Sequence, residues 1–410
     1  MKFALVTFLF FAWGFITCLN DILIPHLKSV FNLGYMEAAL IQFSFFIAYF
    51  AGAIPAGAIT ARLGYQRALV AGLATCALGA AMFWPAAQIP SFAMFLFALF
   101  VLALGITVLQ VAANPFVTLL GDSATASSRL TLTQAFNSLG TAVAPWIGGW
   151  LILEQTGGGA EQVQGPYLAM AFILLAMAAI FLKTNLPQVS GKIEPFSLVA
   201  ARKALKSSPL RLAVIGIFVY VGAEVSIGSF LINYLTNVAQ MVASEHEAAK
   251  YVSIYWTGAM IGRFGGSALM QKISGAKTLF AAALAATVLV ATATLTSGQT
   301  AGLALLAVGL CNSIMFPTIF ALGVSGLGAL TSIGSALLVM AIVGGAILPV
   351  LVGFIADSSG LKAALALPAL CYVYIAWFAM KCRGLESTTP DITSEQPTGH
   401  GSHAKVFAHH

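Results

Sequence analysis

The feature that most constrains the fold of this chain is a succession of apolar runs, each nearly free of charged residues. A run of about 20 apolar residues is long enough to cross the hydrocarbon core of a bilayer as an α-helix. We count twelve such runs, at 4–24, 37–60, 67–86, 91–120, 130–153, 166–183, 210–235, 250–270, 277–296, 300–325, 332–355 and 362–381. Only 8% of all residues are charged, whereas soluble domains carry about 25%. The sequence therefore predicts an all-α polytopic membrane protein with twelve transmembrane helices.

The longest polar connection, residues 184–209, leaves six runs on either side. We therefore predict an N-terminal six-helix bundle at 1–183, a cytoplasmic linker at 184–209 and a C-terminal six-helix bundle at 210–383. Residues 384–410 are polar, and we expect them to form a disordered tail without function. The first run resembles a signal peptide but lacks a clear cleavage site, so we interpret it as a retained helix.

Lysine and arginine predict the orientation, because short cytoplasmic loops carry an excess of both. With a cytoplasmic N-terminus, fourteen of these residues fall on the inner side and only Lys28, Lys250 and Lys362 on the outer side. We therefore expect both termini in the cytoplasm.

The two predicted halves repeat each other in sequence. Pro115 in span four matches Pro317 in span ten at an offset of 202 residues, and Gly140 in span five matches Gly344 in span eleven at an offset of 204. Parallel repeats of this kind place a substrate site near the middle of the membrane, between halves that rock against each other. The pseudo-symmetry therefore favours a transporter with alternating access.

Two carboxylates, Asp21 and Glu224, lie alone inside the first and the seventh run. A charged side chain at the centre of a bilayer costs roughly 2.5–3.5 kcal/mol on insertion scales, so such residues usually face a polar cavity and act there. We interpret both as parts of a cation-coupling or substrate-binding site. The alternative is an acid buried against a neighbouring helix for packing specificity.

Amide side chains form two pairs on neighbouring spans. Gln110 and Asn114 are four residues apart and Gln134 and Asn137 are three apart, so each pair shares one helix face. Amides both donate and accept hydrogen bonds, which suits the hydroxyl groups of a sugar. The alternative is hydrogen bonding between helices, for which Asn and Gln are also suited in membranes.

Four further residues complete the predicted site. Arg263 lies within span eight, and we favour a gate that pairs with an acid or a helix C-terminus over a side chain that snorkels to the interface. Trp256 is the aromatic residue that we favour for stacking on a sugar ring, although most aromatic side chains in such a chain face lipid. Asn233 and Asn312 are the remaining predicted substrate-binding residues.

Other classes of function find no support in the sequence. Walker, GxGxxG, HExxH and GxSxG patterns are absent, and the five cysteines show no metal-like spacing. The net charge of +6 comes from residues between apolar runs and does not indicate nucleic-acid binding. We therefore expect neither enzyme activity nor a cofactor. We expect the protein to be a monomer in the lipid bilayer and its transport to be either driven by an ion gradient or passive.

Several segments are similar to a known family, namely 20–26 (NDILIPH), 112–118 (AANPFVT), 134–140 (QAFNSLG), 220–230 (YVGAEVSIGSF) and 316–320 (FPTIF). Together they resemble the fucose permease branch of the major facilitator superfamily, and in particular its bacterial glucose/galactose transporters. The resemblance covers residues 3–383. It implies a twelve-helix fold and cation-coupled uptake of a hexose across a bacterial inner membrane.

The resemblance carries over to only some positions. The permease has two acids linked to proton coupling and sugar recognition; the first is present as Asp21, and Gln110 replaces the second. Glu224 stands where the permease has an amide. The superfamily's usual acid after span two is replaced by Ala61, so the cytoplasmic latch is expected to use other contacts.

For the coupling ion we favour sodium over the proton. Asp21 and Gln110 would be its ligands, supported by the oxygens of Asn20 or Asn114, because hard cations bind several oxygens at one point. In the proton alternative, Asp21 itself would take up and release the proton. Glu224 is assigned to sugar hydroxyls. A passive facilitator, a drug exporter and a sugar sensor without transport are further alternatives.

Overall fold

A computed structural model gives the structure of the chain. It describes residues 2–32, 35–89, 91–148, 159–186 and 194–383, and throughout these ranges the chain forms helices and turns without a strand. The predicted tail, 384–410, lies outside the described residues.

The helices before the predicted linker are α1 (Lys2–Val30), α2 (Tyr35–Ala81), α3 (Phe83–Gln88), α4 (Phe92–Leu119), α5 (Ala126–Gly148) and α6 (Gln164–Lys183). Predicted span two and most of span three fall within α2, and they are separated at Gly64, whose φ of 77° and ψ of 167° are not helical. Glycine adopts a positive φ without steric cost, so Gly64 lets the chain turn between spans two and three.

The remaining helices are α7 (Leu198–Ala204), α8 (Ser208–Asn233), α9 (Glu245–Leu269), α10 (Gly275–Leu295), α11 (Gly298–Asn312), α12 (Met315–Val324), α13 (Thr331–Met340), α14 (Gly344–Ser359), α15 (Leu361–Ala364) and α16 (Ala366–Lys381). Each of the last three predicted spans is therefore divided into two helices. Among the described residues, eight stretches are long and apolar enough to cross a membrane. Neither α5 nor α9 is among them, and both carry polar side chains of the candidate site.

Helix packing connects the two predicted halves. Within the first half, α2 packs on α4 and α1 packs on α5; within the second, α8 packs on α14 and α16. Between the halves, α5 packs on α9 and α2 packs on α13. The polar side chains of α5 and α9 are therefore held at the boundary between the halves.

Matched glycines occupy equivalent packing positions in the two halves. A β-carbon at Gly140 in α5 would overlap the carbonyl oxygen of Phe11 in α1, and one at Gly344 in α14 would overlap the carbonyl oxygen of Phe218 in α8. The first and fifth spans thus approach each other as the seventh and eleventh do. Close backbone contact of this kind requires residues without a side chain.

The matched prolines differ in their structural effect. The helix α4 continues through Pro115, whereas span ten is interrupted at Ser313 and Ile314, three residues before Pro317. The break lies inside the protein, because Ser313 and Ile314 are both buried.

Candidate functional site

Three predicted amides come together in the first half. Gln110 and Asn114 on α4 and Gln134 on α5 are all buried, and Gln134 Nε2 donates to Asn114 Oδ1 at 3.5 Å. Gln110 Nε2 donates to the hydroxyl of Tyr49 on α2 at 2.7 Å. We call Gln110, Asn114, Gln134 and Tyr49 the amide cluster. Asn114 Nδ2 is buried without a hydrogen-bond partner among the described residues, which costs about 1–3 kcal/mol unless a ligand or water satisfies it.

Asn137 has a structural contact. Its Nδ2 donates to the Phe10 carbonyl on α1 at 3.0 Å, and one turn later Thr141 Oγ1 donates to the Gly14 carbonyl at 3.3 Å. These bonds attach α5 to α1, which supports the alternative of interhelical hydrogen bonding for this residue.

Asn20 and Asp21 belong to the backbone of α1, but their side chains lie outside the described part of the structure. Their assignment to cation coupling stays a prediction.

A second polar group lies in the other half. Glu224 and Tyr220 are four residues apart on α8 and share one face. The Tyr220 hydroxyl donates to the backbone carbonyl of Asn312 at 3.0 Å, and Asn312 Nδ2 donates to the Tyr255 hydroxyl at 2.8 Å. Tyr372 on α16 lies beside Asn312. We call these five residues the tyrosine cluster.

The tyrosine cluster contains hydrogen-bonding atoms that the protein itself does not use. Glu224 Oε1, Asn312 Oδ1 and the Tyr372 hydroxyl are buried and have no partner within the described ranges. Glu224 also interacts electrostatically with Arg263 and Tyr220. Two of the three unused oxygens are acceptors only, so the cluster suits a ligand that presents several hydroxyl donors.

Trp256 and Asn233 differ in their relation to Glu224. The Trp256 ring is 43% exposed and lies near Gly228, one helical turn after Glu224; a β-carbon at Gly228 would be 3.3 Å from this ring. Asn233 is exposed at the C-terminal end of α8. Nine residues correspond to about 13 Å along a helix, so the structure does not bring Asn233 to the tyrosine cluster.

Arg263 on α9 bridges the two halves. Its Nε donates to the carbonyl oxygen of Ser313 at 3.1 Å, directly after the C-terminus of α11, and its Nη1 donates to Ser138 Oγ on α5. The predicted pairing of Arg263 with a helix C-terminus therefore occurs at the break in span ten. The guanidinium also lies close enough to Glu224 for an electrostatic interaction.

Serine side chains make further contacts between the halves. Ser128 on α5 and Ser267 on α9 each donate to the other's backbone carbonyl, at 2.7 and 2.9 Å. These contacts and Arg263 hold α5 and α9 together.

The helices α2 and α13 are joined in the same way. Ser332 Oγ donates to the Gly57 carbonyl at 3.2 Å, and Ser335 Oγ donates to the Val111 carbonyl on α4 at 2.8 Å. Gly57 lies four residues before Ala61, where the superfamily's usual acid is missing. Neutral serine–carbonyl bonds therefore connect the halves at this point.

Sequence reasoning did not single out Tyr49, Tyr372 or Ser138. A tyrosine inside an apolar run was an available signal for the first two, because its hydroxyl needs a partner when buried. Serine carries no such signal, since it is common in membrane helices and bonds to its own helix backbone.

Comparisons with known proteins agree with this architecture. A family model described as "Major Facilitator Superfamily" matches residues 3–342. The glucose/galactose transporter of Brucella abortus biovar 1 (strain 9-941) is 51% identical over 380 residues, which are 92% of each chain. The L-fucose-proton symporter of Escherichia coli (strain K12) is 36% identical over 414 residues, again covering 92% of each chain.

A solved structure shows the same fold. The crystal structure of the transporter FucP in the outward conformation superposes with a TM-score of 0.86 at 35% identity, covering 93% of this chain and 98% of that chain. These matches confirm the predicted twelve-helix fold in two pseudo-symmetric bundles, the predicted resemblance to the fucose permease branch, and a transporter rather than an enzyme. The chain belongs to the Major Facilitator Superfamily.

Proposed function

We propose that this protein imports a hexose of the glucose or galactose type by cation symport with alternating access. The observation that carries the proposal is the set of buried, unpartnered hydrogen-bonding atoms in both halves, led by Asn114 Nδ2, Glu224 Oε1 and Asn312 Oδ1 among the described residues. A sugar hydroxyl both donates and accepts, so a ring of hydroxyls satisfies such a mixed set. The names of relatives at 51% and 45% identity, glucose/galactose transporters, support the same substrate class.

The two clusters suggest how the sugar is held. The amide cluster would contact hydroxyls from the first half, and Glu224 and Asn312 would accept hydroxyl protons from the second. The exposed ring of Trp256, which lies near Gly228 one helical turn after Glu224, would stack on the apolar face of the sugar. Aromatic stacking combined with hydroxyl hydrogen bonds is typical of small-molecule sites with a few placed polar groups.

Alternating access would come from rocking of the bundle 1–183 against the bundle 210–383, joined by the linker 184–209. Serine contacts and Arg263 join the halves where α5 begins and α9 ends, which the Lys and Arg distribution predicts to be the cytoplasmic side. We therefore propose an outward-facing state in a bacterial inner membrane, with both termini cytoplasmic and the protein monomeric. The likeness to FucP in its outward conformation supports this state.

Two candidates stand for the coupling ion. Sodium is favoured by Gln110, because its Nε2 donates to the Tyr49 hydroxyl and its Oε1 is left as an oxygen ligand for a cation. The proton is favoured by relatives at 36% and 30% identity that are named L-fucose-proton symporters. In both cases Asp21 is the proposed coupling residue.

The test is uptake of labelled glucose, galactose and fucose by purified protein in sealed liposomes. An imposed sodium gradient and an imposed proton gradient are compared, each with and without an ionophore that collapses it. Accumulation of glucose or galactose with one gradient supports symport and identifies the ion. Equilibration without accumulation would identify a facilitator, and binding without any flux a sensor; either result would contradict the proposal.

A further inference from the structure

The short helix α7 lies on the linker between the two halves and has one buried face. The Ser197 side chain accepts from Ala200 N and begins the helix. Ala200, Ala201 and Ala204 are buried, and α7 packs against α13. The small side chains hold α7 close to the end of the bundle that the charge distribution predicts to be cytoplasmic.

The opposite face of α7 combines aliphatic and cationic side chains. Leu198 is 74% exposed and Val199 is 76% exposed, which places them among the most exposed large apolar residues described. Arg202 and Lys203 follow four residues later, and both are exposed. Residues four apart share a helix face, so each aliphatic side chain stands beside a cation. Two adjacent exposed aliphatic side chains are unfavourable in water.

The charge near this face is predominantly positive. Lys206 is a third exposed cation, and the one acidic side chain described between 194 and 206 is Glu194, whose Oε2 is 3.3 Å from Lys203 Nζ. Exposed ion pairs of this kind contribute little energy, so Lys203 can exchange its partner.

We propose that the exposed face of α7 binds the anionic lipid surface of the membrane. Leu198 and Val199 would insert at the boundary of headgroups and acyl chains, while Arg202, Lys203 and Lys206 would contact lipid phosphates. Amphipathic helices with this division of residues lie in the membrane interface. The cytoplasmic leaflet is anionic, and each Lys or Arg near such a surface raises the partition constant about fivefold. The proposal does not depend on which substrate is transported.

The test uses the full-length protein with a single probe on α7. A Val199→Cys variant carries a polarity-sensitive fluorophore, and the protein is reconstituted into vesicles of neutral phosphatidylcholine or of phosphatidylcholine mixed with phosphatidylglycerol. Nitroxide-labelled lipids then report contact of the probe with the bilayer. Protein without the introduced cysteine gives the labelling background from native cysteines. A Gln271→Cys variant, exposed in the turn after α9, is the matched control.

We expect quenching at position 199 to be several-fold stronger in anionic than in neutral vesicles, with no such difference at position 271. Adding Arg202→Gln, Lys203→Gln and Lys206→Gln should reduce the quenching at position 199 in anionic vesicles to the level measured in neutral vesicles. The thermal unfolding temperature should stay unchanged because all three side chains are exposed. Equal quenching in both vesicle types would overturn the role of the cations. Absence of quenching in both would overturn membrane binding and leave a soluble partner for this face.

Discussion

Ser128 and Ser267 are bonded reciprocally across the boundary between the halves: each hydroxyl donates to the other's backbone carbonyl, at 2.7 and 2.9 Å. Both bonds must break when α5 and α9 separate. Each is expected to contribute about 0.5–1.5 kcal/mol to the closed arrangement. The pair therefore biases the conformational equilibrium directly.

Replacing both serines by alanine should shift the equilibrium toward separation of α5 and α9 by roughly 5- to 150-fold, the equivalent of two such bonds. Spin labels at Ala124 and Gln271, each four residues from one serine and both exposed, report the separation as a distance distribution. Ser226→Ala is the matched control, because Ser226 Oγ donates to Gly222 within its own helix. A distribution unchanged in the double variant would show that the serine pair does not hold this end closed.

Arg263→Lys should reduce gradient-driven uptake by roughly 10- to 100-fold, because lysine keeps the charge but lacks the planar fork that reaches two acceptors. Those acceptors are the Ser313 carbonyl and Ser138 Oγ. Ser138→Ala should cause a smaller loss, and the loss should not add to that of Arg263→Lys since both variants remove the same contact. Arg62→Lys, at an exposed position on α2, serves as the control. If Arg263→Lys takes up sugar at the wild-type rate, Arg263 does not act as the gate.

Asp21→Asn should abolish accumulation driven by the ion gradient while sugar exchange across the membrane persists. The coupling ion requires a carboxylate, but movement of the loaded carrier does not. Counterflow and gradient-driven uptake measured on the same liposomes separate the two activities. Asp122→Asn is the control, because asparagine replaces aspartate well as the cap that accepts from Ala124 N. If Asp21→Asn still accumulates sugar, another residue carries the coupling.

Glu224→Gln should raise the sugar concentration for half-maximal uptake by roughly 10- to 100-fold, the value of one hydrogen bond to a charged acceptor. The half-saturation concentration should rise for every hexose that binds Glu224 through the same hydroxyl group. Glu161→Gln, exposed before α6, provides the comparison. An unchanged half-saturation value would exclude Glu224 from the sugar site.

Gly140→Ala should destabilise the protein by about 1–3 kcal/mol, because overpacking forces two backbones apart. The added β-carbon would overlap the Phe11 carbonyl, and Gly344→Ala should behave alike through the Phe218 carbonyl. Gly165→Ala is the control, since nothing lies within 4 Å of its β-carbon position. Thermal unfolding in detergent measures all three. Equal unfolding temperatures for Gly140→Ala and Gly165→Ala would contradict close packing of α1 on α5.

The sequence by itself determined the twelve spans, the repeat that relates Gly140 to Gly344, and the polar residues within the spans that are candidates for the site. Each depends on a local property: the length of an apolar run is set by the thickness of the bilayer, and a polar residue in such a run is costly wherever its helix packs. For this reason Gln110, Asn114 and Gln134 could be identified as candidate site residues before their contacts were known.

The tertiary structure decided which groups meet. Arg263 and Ser138 are 125 residues apart in sequence, and Ser332 and Gly57 are 275 apart. The local sequence pattern does not identify the hydrogen-bond partner of a side chain, because a hydrogen bond between distant helices depends on where those helices cross. The partner of Asn137 was likewise not predictable: α5 packs on α1, and Asn137 therefore donates to the Phe10 carbonyl. The break in span ten was not predictable either, and there the Ser313 carbonyl accepts a hydrogen bond from Arg263.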